Sequence, residues 1–216
     1  LSEAKGMVIS MKISLYDYLP RMNSGEVLLT VNMKVKDIDY LIEEKYGREF
    51  FAKDVQALAD DNVKENIPNL YSIIGRDVPR KFACLSVRTD FNTADSCNCY
   101  GPIVLKVNKD AILSDTIIFN GDVQNIAYKL SQVDNPSEWV EIHTLGEPDL
   151  YNSLKRISEN GQPENGRLPR IIGIYFEARL HRALKITDIE EILIPKNEKA
   201  LYELLEEKLR NYVDSP

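Results

Sequence analysis

Ile171-Ile-Gly-Ile-Tyr-Phe-Glu-Ala-Arg-Leu-His-Arg-Ala-Leu-Lys-Ile-Thr-Asp-Ile-Glu-Glu-Ile-Leu-Ile-Pro195 reads as strand, tight connection, strand. Side chains along a strand alternate between its two faces. Ile172, Ile174, Phe176, Ala178 and Leu180 therefore share one face, and Tyr175, Glu177, Arg179 and His181 share the other. The first face suits a core. The second sets a carboxylate, a guanidinium and an imidazole in a row, which reads either as a site for chemistry or as a solvated, salt-bridged face of the kind antiparallel sheets commonly carry.

Upstream of this stretch the period is that of strands. Phe82–Arg88, Ile103–Val107 and Thr116–Phe119 are rich in β-branched and aromatic residues. Ser86 and Arg88 share a face in the first of them, and on an edge strand both would simply point to solvent. The run from Thr89 to Cys99 has no periodicity and reads as a loop able to lie over a ligand. Asp122 after Gly121 signals a helix over 122–133, Trp139–His143 alternates like a strand, and Leu150, Leu154 and Ile157 mark a helix over 147–160. The polar segment from Glu159 to Arg167 then leads into the opening stretch.

Nearer the start, Val27–Val31 is strand-like, and Val35, Ile38, Leu41 and Ile42 recur at helical spacing before Gly47. Phe51, Val55, Leu58 and Ala59 predict a second helix, with Pro68 ending that region or opening a new short turn. After Pro195, Leu201, Leu204, Leu205, Leu209 and Tyr212 predict an amphipathic packing helix. Together these elements predict an α+β chain read as a single domain over 1–216. Its parts are a helical N-terminal part over about 35–75, a β-rich core over about 80–195 and a C-terminal helix over about 197–213.

The chain has 216 residues, 44% of them hydrophobic and 28% charged, the balance of a globular protein rather than a disordered or fibrous one. Its net charge of -7 disfavours broad capture of nucleic acid or an anionic membrane surface. No apolar run reaches the about 18 residues of a membrane span, and the opening residues lack a charged head followed by an apolar body. Three cysteines, Cys84, Cys97 and Cys99, cannot all pair, which fits a reducing compartment and a cytoplasmic location. Cys97-Asn-Cys99 with only two histidines in the chain falls short of a zinc site, so no metal is expected.

The phosphate-loop, dinucleotide-fingerprint, serine-elbow and HExxH patterns are all absent. The segment from Glu177 to Pro195, with Glu177 at the start of a strand and Ile189 and Ile192 in the return strand, resembles the end of the NAD-dependent ADP-ribosyltransferase superfamily, DarT-like toxins among them. Tyr100-Gly-Pro-Ile-Val-Leu-Lys-Val-Asn-Lys-Asp110 is similar to a strand segment of several bacterial and phage-encoded transferases of this kind. The resemblance implies an ADP-ribosyltransferase-like fold of split antiparallel β-sheets with flanking helices. It also implies a glycosyltransferase chemistry that moves ADP-ribose from NAD to a protein or nucleic-acid target, in a toxin or phage-conflict protein with an antitoxin as a protein partner.

Under that resemblance Glu177 is the catalytic carboxylate. Arg88 and Arg179 meet the pyrophosphate, Tyr100 or Tyr175 stacks on nicotinamide, and Ser86 joins them as an NAD-binding residue. A second registration makes Glu191 the key acid, since Glu190-Glu-Ile-Leu-Ile-Pro195 is similar to the matching segment of arginine-specific transferases. The chain departs from the family pattern in having no histidine before His143, which leaves the early NAD anchor to Arg21, Arg80 or Arg88. Two further readings stay open. One is a non-enzymatic binding module, or an inactive transferase-like fold, acting through the C-terminal helix or the acidic segment 54–65. The other is a metal-assisted hydrolase using Asp90, Glu177 and Asp188.

Overall fold

The computed structural model describes residues 11–37, 49–50, 53–54, 61–79, 81–92, 100–130, 132–160, 176–182 and 184–213. Its strands are β1 (Lys12–Tyr16), β2 (Leu28–Met33), β3 (Glu49–Phe50), β4 (Lys53–Asp54), β5 (Lys81–Arg88) and β6 (Ile103–Val107). They continue with β7 (Thr116–Phe119), β8 (Ile142–Thr144), β9 (Phe176–Leu180), β10 (Leu184–Lys185) and β11 (Ile189–Pro195). The helices are α1 (Asp61–Ile73), α2 (Val123–Leu130), α3 (Leu150–Asn160) and α4 (Lys199–Val213).

Nine strands make one sheet, in the order β1-β11-β6-β2-β5-β9-β7-β8 with β4 also on β5, and β10 pairs with β3 apart from it. Every neighbour pair is antiparallel except β1 on β11. The mixed α+β class follows from this arrangement. Eight of the described strands run as one hydrogen-bonded path, and β3 with β10 forms a small second sheet.

Alternation along the strands builds the main core. Leu29, Val31 and Met33 of β2, Leu85 and Val87 of β5, Leu105 of β6 and Phe176, Ala178 and Leu180 of β9 are buried together with Leu150, Leu154 and Ile157 of α3 and Leu201 and Leu205 of α4. Burying a side chain of this size stabilises the fold by about 1.5–3 kcal/mol. Leu204, expected on the same stripe, stays 40% exposed because the buried stripe of α4 is narrower than its leucine content suggests.

A second apolar cluster covers the opposite face at one end. Ile67, Leu70 and Tyr71 of α1 meet Val123, Ile126, Ala127 and Leu130 of α2 over Phe82, Ile117 and Phe119 of the sheet. Pro68 neither ends nor begins α1 but sits inside it. An internal proline removes one helical hydrogen bond, and burial of its neighbours Ile67, Leu70 and Tyr71 outweighs that local loss. The helix expected over 51–62 is overturned at Lys53–Asp54, which is strand β4 paired with β5, and helix is described only from Asp61; the one expected over 35–42 is described only as a short turn at Val35–Asp37, and the other residues of both lie outside the described residues.

The strand expected over Trp139–His143 is displaced. Pro136 opens a turn over Pro136–Glu138, closed by Trp139 N–H donating to the Pro136 carbonyl at 3.1 Å, and the ladder begins only at Ile142. Gly101 fastens β6 to β2. Its φ of +139° is one that side chains rarely adopt, and a Cβ there would stand 2.0 Å from the Met33 carbonyl oxygen. The Gly101 carbonyl accepts from Asn32 Nδ2 at 2.9 Å.

The connection between β9 and β11 is held by Asp188, which is 4% exposed. Its carboxylate accepts from Arg182 Nη1 at 2.8 Å and Nη2 at 3.0 Å and from the Lys185 amide at 2.8 Å. Arg182 also reaches Asp115 at 3.2 Å and the Ala111 carbonyl at 3.1 Å. The hydrogen bond to Asp188, reinforced by Asp115, holds the Arg182 guanidinium above its ordinary pKa.

Candidate functional site

Register across the sheet collects polar side chains that are far apart in sequence. Glu177 on β9 is opposite Ser86 on β5, Ser86 is opposite Thr30 on β2, Thr30 is opposite Lys106 on β6, and Lys106 is opposite Glu191 on β11. Directly opposed residues share a face, so these five form a single row. At about 4.8 Å per strand the row spans about 19 Å. The two candidate acids, Glu177 and Glu191, are its two ends.

Glu177 is 5% exposed, and both of its oxygens are engaged. Oε1 accepts from Arg179 Nε at 2.8 Å, and Oε2 accepts from the Val123 amide at 3.1 Å. Val123 is the first residue of α2, so the carboxylate sits at a helix N-terminus, where unsatisfied amides favour negative charge. Asp122 caps that helix by accepting from the Asn125 amide at 2.9 Å. Asp122→Ala is expected to cost about 1 kcal/mol, read as a lower midpoint in urea denaturation.

Arg179 is 2% exposed and lies over the Phe82 ring, 4.2 Å from its centroid. Burial works against its charge, but the facing Glu177 carboxylate and smaller contributions from Cys84 and Tyr71 together outweigh burial and raise the guanidinium pKa. The polar face of β9 is therefore neither solvated nor open. α1 and α2 cover it, which a strand's own periodicity does not reveal. Ser86 and Arg88 are likewise buried, at 8% and 5% exposure, because β5 lies inside the sheet between β2 and β9 and not on an edge.

At the far side of Arg179, His181 Nε2 lies 3.2 Å from the Tyr71 hydroxyl, with the two ring centroids 5.6 Å apart. Burial, then the positive charges of Arg76 and Arg179, push the His181 imidazole down to about 4, against a smaller opposing pull from Asp115. An unfolded histidine titrates near about 6.5. The unfolded chain thus binds the extra proton first, and the stability that His181 contributes is full above about 6.5 and is lost as pH falls toward about 4. Urea denaturation at pH 7 and pH 5 is expected to show a smaller acid-induced loss for His181→Gln than for the wild type.

Arg88 occupies the middle of the molecule's polar face. Its Nε donates to Thr30 Oγ1 at 2.9 Å and its Nη2 to Asn32 Oδ1 at 3.1 Å. Arg88, Thr30 and Lys106 line a cavity of about 790 Å³, together with Arg21, Lys109 and Asp90. Leu19, Pro20, Val27 and Leu28 from the segment before and within β2, and Val104 and Leu193 from the sheet, supply apolar wall. The Tyr16 hydroxyl donates to the Pro102 carbonyl. Burial raises its pKa against the pull of Arg88.

Glu191, the alternative acid, accepts from Ser14 Oγ at 2.6 Å and from Lys106 Nζ at 3.1 Å. Burial raises its pKa, and these two hydrogen bonds together with the charges of Lys106 and Lys12 outweigh burial and lower it. Tyr100 precedes β6 and is 58% exposed, and Tyr175 and Arg80 lie outside the described residues. Asp90 accepts from the Tyr151 hydroxyl at 2.7 Å, and Asp188 belongs to the Arg182 clamp, so the structure does not bring Asp90, Glu177 and Asp188 together as one metal set. Among the described residues no group of three His, Cys, Asp or Glu side chains is placed to hold a metal ion. No described helix is long and apolar enough to cross a membrane.

Sequence reasoning missed Thr30, Asn32, Lys106 and Tyr71. Thr30 and Asn32 alternate with Leu29, Val31 and Met33, so their polar spacing was a usable signal, whereas Tyr71 carried none beyond helical period. No family model and no curated protein matches the chain.

Proposed function

We propose that the chain is an NAD-dependent ADP-ribosyltransferase of ADP-ribosyltransferase-like fold, acting on a macromolecular target inside the cell in the manner of a toxin or phage-conflict protein. The observation that carries this reading is the fixed carboxylate of Glu177 at the end of a polar row that runs past Ser86 to the cavity beside Arg88. Bound NAD supplies a nicotinamide–ribose bond whose cleavage builds positive charge on the ribose carbon. A carboxylate already oriented by Arg179 and the Val123 amide stabilises such charge without reorganising. Arg88 and Lys106 offer guanidinium and ammonium donors suited to phosphate oxygens. The apolar wall of Leu19, Val27 and Leu28 suits an aromatic base, and the about 790 Å³ of the cavity suits part of a dinucleotide.

The experiment is incubation of the full chain with radiolabelled NAD and a cell lysate. Label transferred to protein or nucleic acid, together with nicotinamide release, is the expected result. Absence of both from folded protein overturns the reading.

A second reading rests on the burial of Glu177. At 5% exposure, with both oxygens bonded inside the protein, the Glu177–Arg179 pair also fits a structural role in a transferase-like fold that binds a partner without turnover. That reading expects no heat of NAD binding in calorimetry and a stable protein partner, such as an antitoxin, in a pull-down.

A further inference from the structure

Of the three carboxylates that line the cavity beside Arg88, one is held in place with an oxygen left for a ligand. Glu26 is satisfied within its own turn, where one oxygen accepts from the Asn23 amide at 3.1 Å and the other from Asn23 Nδ2 at 2.8 Å. Glu190 is exposed and its carboxylate is bonded to no described residue. Asp90 accepts from the Tyr151 hydroxyl at 2.7 Å through Oδ1, and no described residue bonds to its Oδ2. Tyr151 is fixed in turn, since its ring meets Phe91 edge-on with centroids 5.4 Å apart and packs on the main core. A hydroxyl has one proton to give, and Asp90 takes it, so Ser24 is the donor in its 3.2 Å contact with the Tyr151 oxygen. Tyr151 thereby ties Asp90 to the segment before β2 that forms the other wall of the cavity.

We infer that Asp90 is a specificity residue that accepts the 2′-hydroxyl of the adenosine ribose of NAD, with Tyr151 as its positioning residue. This rests on the transferase reading and adds which ribose the cavity takes and which dinucleotide it refuses. Ser86, Arg88 and Asp90 follow one another at every second residue, and Ser86 is opposite Glu177. Asp90 is thus at most about 14 Å of backbone beyond Ser86, with Arg88 between them. The order matches a dinucleotide, with the reacting ribose toward Glu177, the pyrophosphate at Arg88 and the second ribose at Asp90. Arg21, Arg88, Lys106 and Lys109 line the same cavity and repel a cationic group, which leaves a neutral hydroxyl as the donor for Oδ2. A carboxylate at that point accepts from a hydroxyl and repels a phosphate in its place. NAD is therefore taken, and NADP, which carries a phosphate on that hydroxyl, is refused.

The test titrates the full chain with NAD and with NADP by calorimetry, then repeats both titrations with Asp90→Asn and Tyr151→Phe, whose folding is checked by circular dichroism. The wild type is expected to bind NAD at least about tenfold more tightly than NADP. In Asp90→Asn the preference is expected to fall below about threefold, because the amide no longer repels the phosphate. Tyr151→Phe keeps the ring on Phe91 and frees the carboxylate, and is expected to lower the preference in the same direction. The ratio of the two affinities is the deciding readout, since a general loosening of the cavity weakens both dinucleotides alike. NADP binding as tightly as NAD, or a preference undiminished in folded Asp90→Asn, overturns the inference and leaves the transferase reading standing. A preference undiminished in Tyr151→Phe overturns the positioning role, and this variant decides alone should Asp90→Asn fail to fold. Absence of binding by both dinucleotides to the folded wild type overturns the inference together with the reading it rests on.

Discussion

Glu177→Gln is expected to lower NAD turnover by about 10²–10³-fold, the size of effect seen when one oriented electrostatic group is removed from a transition state. The glutamine oxygen can still accept from the Val123 amide, so the N-terminus of α2 keeps its partner. Arg179, buried at 2% exposure, loses its carboxylate, and an unpaired buried charge costs about 3–5 kcal/mol. Loss of activity alone would therefore confound chemistry with unfolding. Glu177→Gln/Arg179→Met separates them, since replacing a buried ion pair by uncharged side chains is often close to neutral in stability. The expected pattern is a double variant that regains stability in urea denaturation and stays without turnover. Wild-type turnover by a folded Glu177→Gln protein would sink the catalytic role, whereas recovery of turnover in the double variant would make the pair a structural element.

Asp188→Ala is expected to destabilise the fold by about 3 kcal/mol. The substitution removes the acceptor of two Arg182 nitrogens and of the Lys185 amide, three hydrogen bonds made to one buried carboxylate. Arg182 retains Asp115 and the Ala111 carbonyl and is only partly buried, which keeps the expected cost at the lower end for a broken buried pair. The check is a shift of the urea midpoint at unchanged slope. A shift worth less than about 1 kcal/mol would mean that Arg182 and the connection relax without penalty. Asp188→Asn, which preserves one oxygen for the Lys185 amide, should fall between the two.

Much of the strand content was legible because burial leaves a local signature. Phe82–Arg88, Ile103–Val107 and Thr116–Phe119 lie in β5, β6 and β7, and Asp122 caps α2 through the Asn125 amide as its type and position suggested. The failures have equally local causes. Pro68 reads as a breaker but is carried inside α1 by tertiary burial of its neighbours, and Pro136 turns the chain where Trp139–His143 alternates like a strand. Ser86 and Arg88 were read against an edge strand, yet β5 has neighbours on both sides.

The alternation at Phe176–Leu180 is local to the chain, and with it the sharing of one face by Glu177 and Arg179 and of the other by Phe176, Ala178 and Leu180. What covers that polar face, and what it meets, comes from long-range packing. Tyr71 and Val123 arrive from α1 and α2, and Ser86, Thr30, Lys106 and Glu191 arrive by register from four other strands. Periodicity reports the direction of a side chain relative to its own strand. Neighbouring strands and docked helices are chosen by contacts between distant residues, and those choices turned an exposed-looking ion pair into a buried one.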